Sequence, residues 1–231
     1  IFETISNLNV AIYTPSAFLL ASSVGKYIDA DGDDNYFAGQ GMAGREKGIR
    51  RLMSINLLKR LESSVNSFRL TLQRIKTLIS STLDKLDNIG DGEDFSIETK
   101  DISSNLDYDD LESDMFIGGK KGKIALKDLD YIAWRKYLEK DLESLNLLLF
   151  MLEDITPEHD SKLQQLIAVL RYKFANPINE GNKKVLIFTA FSDTAEYLYN
   201  CLAQSIKEKY GLNTAIVSGD IEARSTLKLP Q

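Results

Sequence analysis

Apolar positions recur along this chain with two different spacings. Between Arg45 and Leu86 they fall at Leu58, Leu61, Val65, Phe68, Leu72, Ile75, Ile79, Leu83 and Leu86, in steps of three or four. Such steps put one side chain per turn on one side of a helix, so the span predicts a single long helix with a near-heptad seam. Asp128 to Asp154 repeats the spacing with Leu138, Leu142, Leu145, Leu149 and Leu152, and is its natural antiparallel partner. Trp134 would anchor one end of the hairpin against the core. A third helix is expected from Pro157 to about Phe174, with Thr156 at its N-cap, Pro157 at N1, and Leu163, Leu166, Ile167, Leu170 and Phe174 on one face.

The second spacing is a continuous run. Val185 to Phe188 shows no alternation, which is what a parallel strand covered on both faces by helices requires. Asp193 follows at an N-cap position, and Glu196 three residues later completes a capping box. The turn then lies at the strand's carboxyl end, where open α/β sheets bind ligands, so Thr189, Phe191 and Ser192 are placed to touch one. A second strand is expected at about Thr214 to Val217, ending at Ser218 and Gly219. The fold class is therefore α/β but predominantly helical: a long antiparallel hairpin followed by an incomplete parallel α/β lobe. Two strands leave edges and apolar faces uncovered, so pairing with another copy or a poorly packed second strand is expected.

Composition bounds these elements. A chain of 231 residues can bury a sizeable core in one large or two small domains. No apolar run approaches the ~20 residues of a membrane span. The N-terminal IFETISNLNVAIYTPSAFLL lacks the basic start of a signal peptide. Cys201 is the single cysteine, so an intrachain disulfide is impossible and a reducing cytoplasm fits. With His159 the single histidine, a Cys/His zinc site has too few ligands, and no metal site is expected. Cys201 reads as an inert helix residue and His159 as a first-turn surface residue.

Asp29 to Asp34 invites comparison with a calcium loop, but position twelve, which needs a bidentate Glu, is Gln40. Asn35 to Gly44 reads as a flexible link. Within it Gly39, Gly41 and Gly44 fit G-x-G-x-x-G, yet no apolar strand stands immediately before them. Charge is strongly separated. Met42 to Lys76 carries nine Lys and Arg against two Glu, and Asp84 to Phe116 carries twelve Asp and Glu against two Lys. The basic face could follow a phosphate backbone with the acidic segment as its internal mimic, or the two could simply pair as solvated surfaces. The low isoelectric point, about 5.0, argues for the second. In the RLESS segment no His or Lys is arranged to activate Ser63 or Ser64, so a structural role is expected. Arg60 and Glu62 are out of helical phase with each other and should bond to other elements.

The wording of these segments is more specific than their pattern. VLIFTAFSDTAEYL, followed by Asn213 to Gly219, resembles the opening of the second RecA-like lobe of superfamily-two helicases, in particular bacterial helicase-like ATPases of the Swi/Snf type. Met53 to Leu72 resembles the helical segment those proteins carry between their lobes, and Thr156 to Leu163 the helix start before the second lobe's first motif, motif IV. The resemblance implies an N-terminal inter-lobe region at 1–44, a helical hairpin at 45–177 with an acidic insertion at about 87–127, and the start of the second lobe at 178–231. It implies a parent that is an ATP-driven DNA helicase or translocase using ATP and magnesium, with RNA as a possible track. Nucleic-acid contacts would then come from Thr189, Phe191, Ser192, Ser218 and Gly219. No G-x-x-x-x-G-K-[ST] loop or acidic Walker B pair occurs, so this chain should have no catalytic residue, bind no ATP or magnesium and hydrolyse nothing by itself. The start at Ile1 and the stop after the second strand suggest a piece of a longer protein. The competing class is a non-enzymatic helical protein-interaction module fused to a nucleotide-binding-like βα unit.

Overall fold

The near-heptad seam folds as helix, but in two pieces. In the computed structural model, which describes residues 1–26, 41–88, 96–98, 123–219 and 221–227, helix α2 (Gly41–Ser63) and helix α3 (Val65–Asp87) are separated at Ser64. The backbone ladder continues through the break, with Ser64 N–H donating to Arg60 O at 2.9 Å and Phe68 N–H to Ser64 O at 3.1 Å. What interrupts the helix is the Ser64 hydroxyl, which accepts the Ser67 N–H at 3.0 Å in the manner of an N-cap. Phe68, Leu72, Ile75, Ile79 and Leu83 of α3 are buried as the seam requires. In α2 the buried stripe is instead Ile49, Met53, Leu57 and Arg60, because the break frees that helix from the phase of α3.

The remaining elements are a short helix α1 (Phe2–Ser6), strands β1 (Ser96–Glu98) and β2 (Lys123–Ala125), helices α4 (Tyr131–Met151), α5 (Ser161–Ala175) and α6 (Ser192–Tyr210), and strands β3 (Ala215–Ile216) and β4 (Arg224–Ser225). The described chain is thus predominantly helical. Its strands form two antiparallel pairs, β1 with β2 and β3 with β4. The chain divides into two compact units, Ile1–Leu58 with Thr71–Phe150, and Lys59–Leu70 with Met151–Gln231.

In the first unit, the end of α3 meets the start of α4 through Asp87 and Arg135, the junction expected of an antiparallel hairpin. The buried residues of α4 in this unit are Trp134, Leu138, Asp141, Leu145 and Leu148. Leu148 and Asp141 thus occupy the inward positions predicted for Leu149 and Leu142. A carboxylate in a heptad core position needs strong partners. Asp141 Oδ1 accepts the Asn9 N–H at 2.7 Å and Oδ2 accepts the Ala11 N–H at 2.8 Å. Between those donors Val10 stands at φ 48°, a left-handed conformation that a β-branched residue adopts only when its surroundings impose it. Trp134 Nε1 donates to Ala11 O at 2.9 Å, so one face of α4 fixes the N-terminal segment at three points. Farther along, that segment bridges Leu19 to Leu129, and Asp128 takes Ser23 Oγ and Lys26 Nζ.

In the second unit α5 and α6 enclose a core of Leu163, Leu170, Phe174 and Leu202, flanked by Leu166, Ile167, Tyr197 and Leu198. The predicted apolar face of the third helix is therefore the one it uses. Its start is corrected: residues 157–159 form a turn and the helix begins at Ser161, capped by Asp160, which accepts the N–H groups of Lys162 and Leu163 at 3.0 Å. Asp is a better N-cap than a Thr followed by a Pro-led turn, because its carboxylate takes two amides.

The expected first strand is not paired. Residues 183–189 belong to no helix and no sheet, and Leu186 and Phe188 are 83% and 89% exposed. β3 finds an antiparallel partner in β4, where a parallel one was expected, since a chain that folds straight back pairs without a crossover. Among the described residues no helix is long and apolar enough to cross a membrane. The calcium-like Asp29 to Asp34, Gly39 and most of the acidic insertion lie outside the described residues. Gly41 and Gly44 lie within α2, not in a loop after a strand.

Replacing Asp141 should destabilise the first unit. Asp141→Ala leaves two buried N–H groups without acceptors and should cost about 2–4 kcal/mol in chemical denaturation. Burial raises the Asp141 pKa, outweighing the backbone amides of Ala11 and Asn9 that lower it. Its stabilising contribution is then full below the ordinary aspartate range and declines as pH rises through the raised folded value. The stability deficit of Asp141→Asn should accordingly narrow as pH rises above the ordinary aspartate range of about pH 4.

Candidate functional site

The turn from the extended segment into α6 is closed by Thr189, whose hydroxyl accepts the Phe191 N–H at 3.0 Å and donates to Phe191 O at 2.9 Å. That double contact holds Phe191 extended (φ −120°, ψ 132°), and its carbonyl receives the N–H groups of Thr194 and Ala195. Phe191 is therefore the N-cap residue. Asp193, expected to cap, lies within the helix, and its carboxylate turns to Arg60 Nη1 at 3.3 Å. A buried guanidinium offers a carboxylate more than a free helix amide does, which explains the departure from the capping box.

Arg60 is 1% exposed. Its guanidinium lies 4.6 Å from the centre of the Phe191 ring and also donates to Ser67 Oγ at 3.4 Å. Beside it, three hydroxyls meet: Thr194 Oγ1 is 2.8 Å from Ser63 Oγ and 3.0 Å from Ser64 Oγ. The break between α2 and α3 is thus bonded directly to the first turn of α6. Lys162 of α5 adds a third attachment, its ammonium bonded to the carbonyls of Glu62 and Ser63 at the end of α2. Arg69 donates to Leu152 O and Ile155 O at 2.7 Å, satisfying carbonyls just beyond α4. Arg60 and Arg69, two of the basic residues counted in the positive segment, therefore serve as internal ties, and Arg60 is buried.

Asp160 serves two elements. Besides capping α5 it accepts the Tyr197 hydroxyl of α6 at 3.0 Å. Burial and the Asp160 charge hold that phenol protonated, well above its ordinary pKa. Burial also raises the neighbouring Cys201 thiol, which fits an inert thiol and not a nucleophile. His159 Nδ1 faces Asp154 O at 3.2 Å on the exposed turn before α5.

These residues border a cleft of about 620 Å³. Ser63, Ser64, Thr194 and Asp160 supply its polar part, and Leu163, Leu166, Phe188 and Phe191 its apolar part. Of the residues the sequence singled out, Thr189 and Phe191 line the cleft, while Ser192 is half-buried at the first position of α6. Ser218, half-buried, and Gly219, exposed, follow β3. A Cβ at Gly219 would meet nothing within 4 Å, so nothing in the chain itself demands a glycine there. Phe191 is covered by Arg60, a packed residue more than an open platform. Sequence reasoning anticipated that Arg60 bonds to another element and missed Thr194, Asp160 and Tyr197. The signal was present in Asp160, an acid directly before the apolar periodicity of α5. Among the described residues no group of His, Cys, Asp and Glu could hold a metal. Compared with family models, curated proteins and solved structures, the chain matches none significantly.

Loss of Asp160 should be felt by two helices at once. Asp160→Ala should cost about 2 kcal/mol and Tyr197→Phe about 1 kcal/mol, read from urea midpoints. Since both changes touch one bond, the double variant should lose less than the sum.

Proposed function

We propose that this chain is part of an ATP-driven DNA translocase or helicase of the Swi/Snf-type superfamily two, contributing inter-lobe helices and the opening βα unit of the second RecA-like lobe. One observation carries the reading beyond resemblance of wording. The helix of the unit is packed and its turn fully bonded, yet Leu186 and Phe188 of the preceding apolar run are 83% and 89% exposed. Such exposure of a continuous apolar run supports the reading, because a strand of a parallel sheet would bury both of its faces. The missing strands would come from residues outside this sequence.

The residues present do not fit a nucleotide. No phosphate loop or Walker acid occurs, and Gly41 and Gly44 of the glycine motif sit inside α2. ATP and magnesium would belong to other residues of the longer protein. This chain's part is the grip on nucleic acid. Thr189 shapes the turn through Phe191, and the Ser192 hydroxyl with the first amides of α6 would supply donors to a phosphate. Ser218 and Gly219 add a second contact where backbone can approach closely. Such contacts carry no base information, consistent with a motor that moves along any sequence.

Expression of the whole gene from which this chain is read should give an ATPase stimulated by duplex or single-stranded DNA, while the 231-residue chain hydrolyses nothing. A whole product without DNA-stimulated ATPase would sink the proposal and leave the helical interaction module. The open strand also predicts self-association of the isolated chain at high concentration, visible in sedimentation velocity. Leu186→Lys should suppress it by placing charge on the unpaired segment.

A further inference from the structure

Among the described residues, Arg60, Ser63 and Ser64 of one short stretch hold the turn before α6 from outside. Arg60 reaches both sides of the turn, stacking on Phe191 and pairing with Asp193. Ser63 and Ser64 hold Thr194, the next residue along. None of the four is needed to form α6 itself: Thr189 already closes the turn, and Phe191 O already receives the first helical amides. A buried guanidinium is costly, and an apolar residue in its place would be cheaper for stability alone. What the site uses is its reach in two directions, its carbon over the Phe191 ring and its Nη1 toward the Asp193 carboxylate.

We infer that Arg60 is a positioning residue for the nucleic-acid grip, setting the orientation of the Thr189 to Thr194 turn without touching the nucleic acid. The inference rests on the proposed DNA-binding role of that turn. Burial excludes Arg60 from direct contact, since 1% of its surface is open. Its effect passes through Phe191 and Asp193, which flank Ser192 on either side. The α2–α3 break is part of the device. Ser64 ends one helix and starts the next, so its hydroxyl and that of Ser63 project together at Thr194, a convergence that an unbroken helix would not offer.

The test is fluorescence anisotropy with a labelled duplex and a labelled single strand, titrated over a range of salt, on the 231-residue chain and on the whole gene product. Arg60→Lys keeps the charge for Asp193 and loses the planar stack, and should fold. Arg60→Ala is the harsher variant. Amide hydrogen exchange at residues 189–195 reports the turn directly and needs no DNA. For Arg60→Lys the expected result is faster exchange confined to that turn, roughly tenfold weaker DNA binding, and an unchanged slope of log affinity against log salt, because no phosphate contact is lost. Serine-to-alanine changes at 63 and 64 should weaken binding in the same way, also at constant slope. A slope reduced by about one would make Arg60 a phosphate ligand and overturn the inference. Folded Arg60→Lys with wild-type affinity and wild-type exchange would overturn it as well, leaving the DNA-binding reading intact. If the unaltered whole product binds neither nucleic acid, the function reading itself fails, and the turn has nothing to position.

Discussion

The second unit depends on one buried charge. Arg60, almost fully enclosed, must be neutralised where it stands, and Asp193 does so from the first turn of α6. Losing either partner from such a pair costs about 3–5 kcal/mol, because the survivor stays buried without its counter-charge. That penalty is comparable to much of a small domain's net stability. It ties residues 133 positions apart in sequence into one arrangement. The hydroxyls of Ser63, Ser64 and Thr194 add direction to that attachment, since each contact requires the α2 terminus and the α6 start to be in register. The end of α2 and the first turn of α6 are therefore joined through one guanidinium and the hydroxyls beside it.

The same logic recurs in the first unit with the sign reversed. Asp141 occupies an inward position in the heptad of α4 and is satisfied by the amides of Asn9 and Ala11. The cost includes a left-handed Val10, on the order of 1–3 kcal/mol of backbone strain. Strain of that size persists only where the surrounding bonds exceed it. Here they are two amides on a carboxylate and the indole of Trp134 on Ala11 O. Each unit is thus specified by a charged residue in a place where an apolar one would fit. A leucine at either place would preserve the core while removing what fixes the neighbouring segment.

Periodicity in the sequence announced the helices and, in α3 and α5, the residues they bury. It misjudged α2 and α4 by one position each, at Leu58 for Leu57 and at Leu149 for Leu148. Both errors have the same source: a seam counts apolar residues, and the true stripes pass through Arg60 and Asp141, which no apolar count admits. The candidate site was legible in part. Thr189, Phe191 and Ser192 follow from the strand-to-helix pattern, and Thr189 and Phe191 do bond to each other at the start of α6. Asp193 was assigned to the helix amides because sequence shows local donors and cannot show a guanidinium arriving from another element. Thr194 and Tyr197 were invisible for the same reason, their partners being Ser64 and Asp160 on separate elements.

The unpaired apolar run at 185–188 shows where local physics stops. Fully burying a Leu or Phe side chain is worth about 1.5–3 kcal/mol, so Leu186 and Phe188 forgo on the order of 3–6 kcal/mol by facing solvent. Nothing nearby recovers it. β3, the strand that could lie beside this one, is paired with β4, and Thr226 N–H donates to Thr214 O at 2.9 Å in continuation of that pairing. Arg224 fastens β4 to α6 through Glu196 at 2.6 Å and lies 5.3 Å from the Tyr199 ring. A hairpin closes over a loop of a few residues, whereas a parallel pair between 185–188 and β3 must carry all of α6 across the sheet. It also needs further strands before both faces are covered. The antiparallel pair is the cheaper structure within these residues. Turn bonding and helix packing are complete around Thr189 and Phe191, so adding strands beside residues 185–188 need disturb neither. A turn that is already shaped before any non-local pairing is the economical order of assembly, because the costly long-range closure then joins a preformed unit.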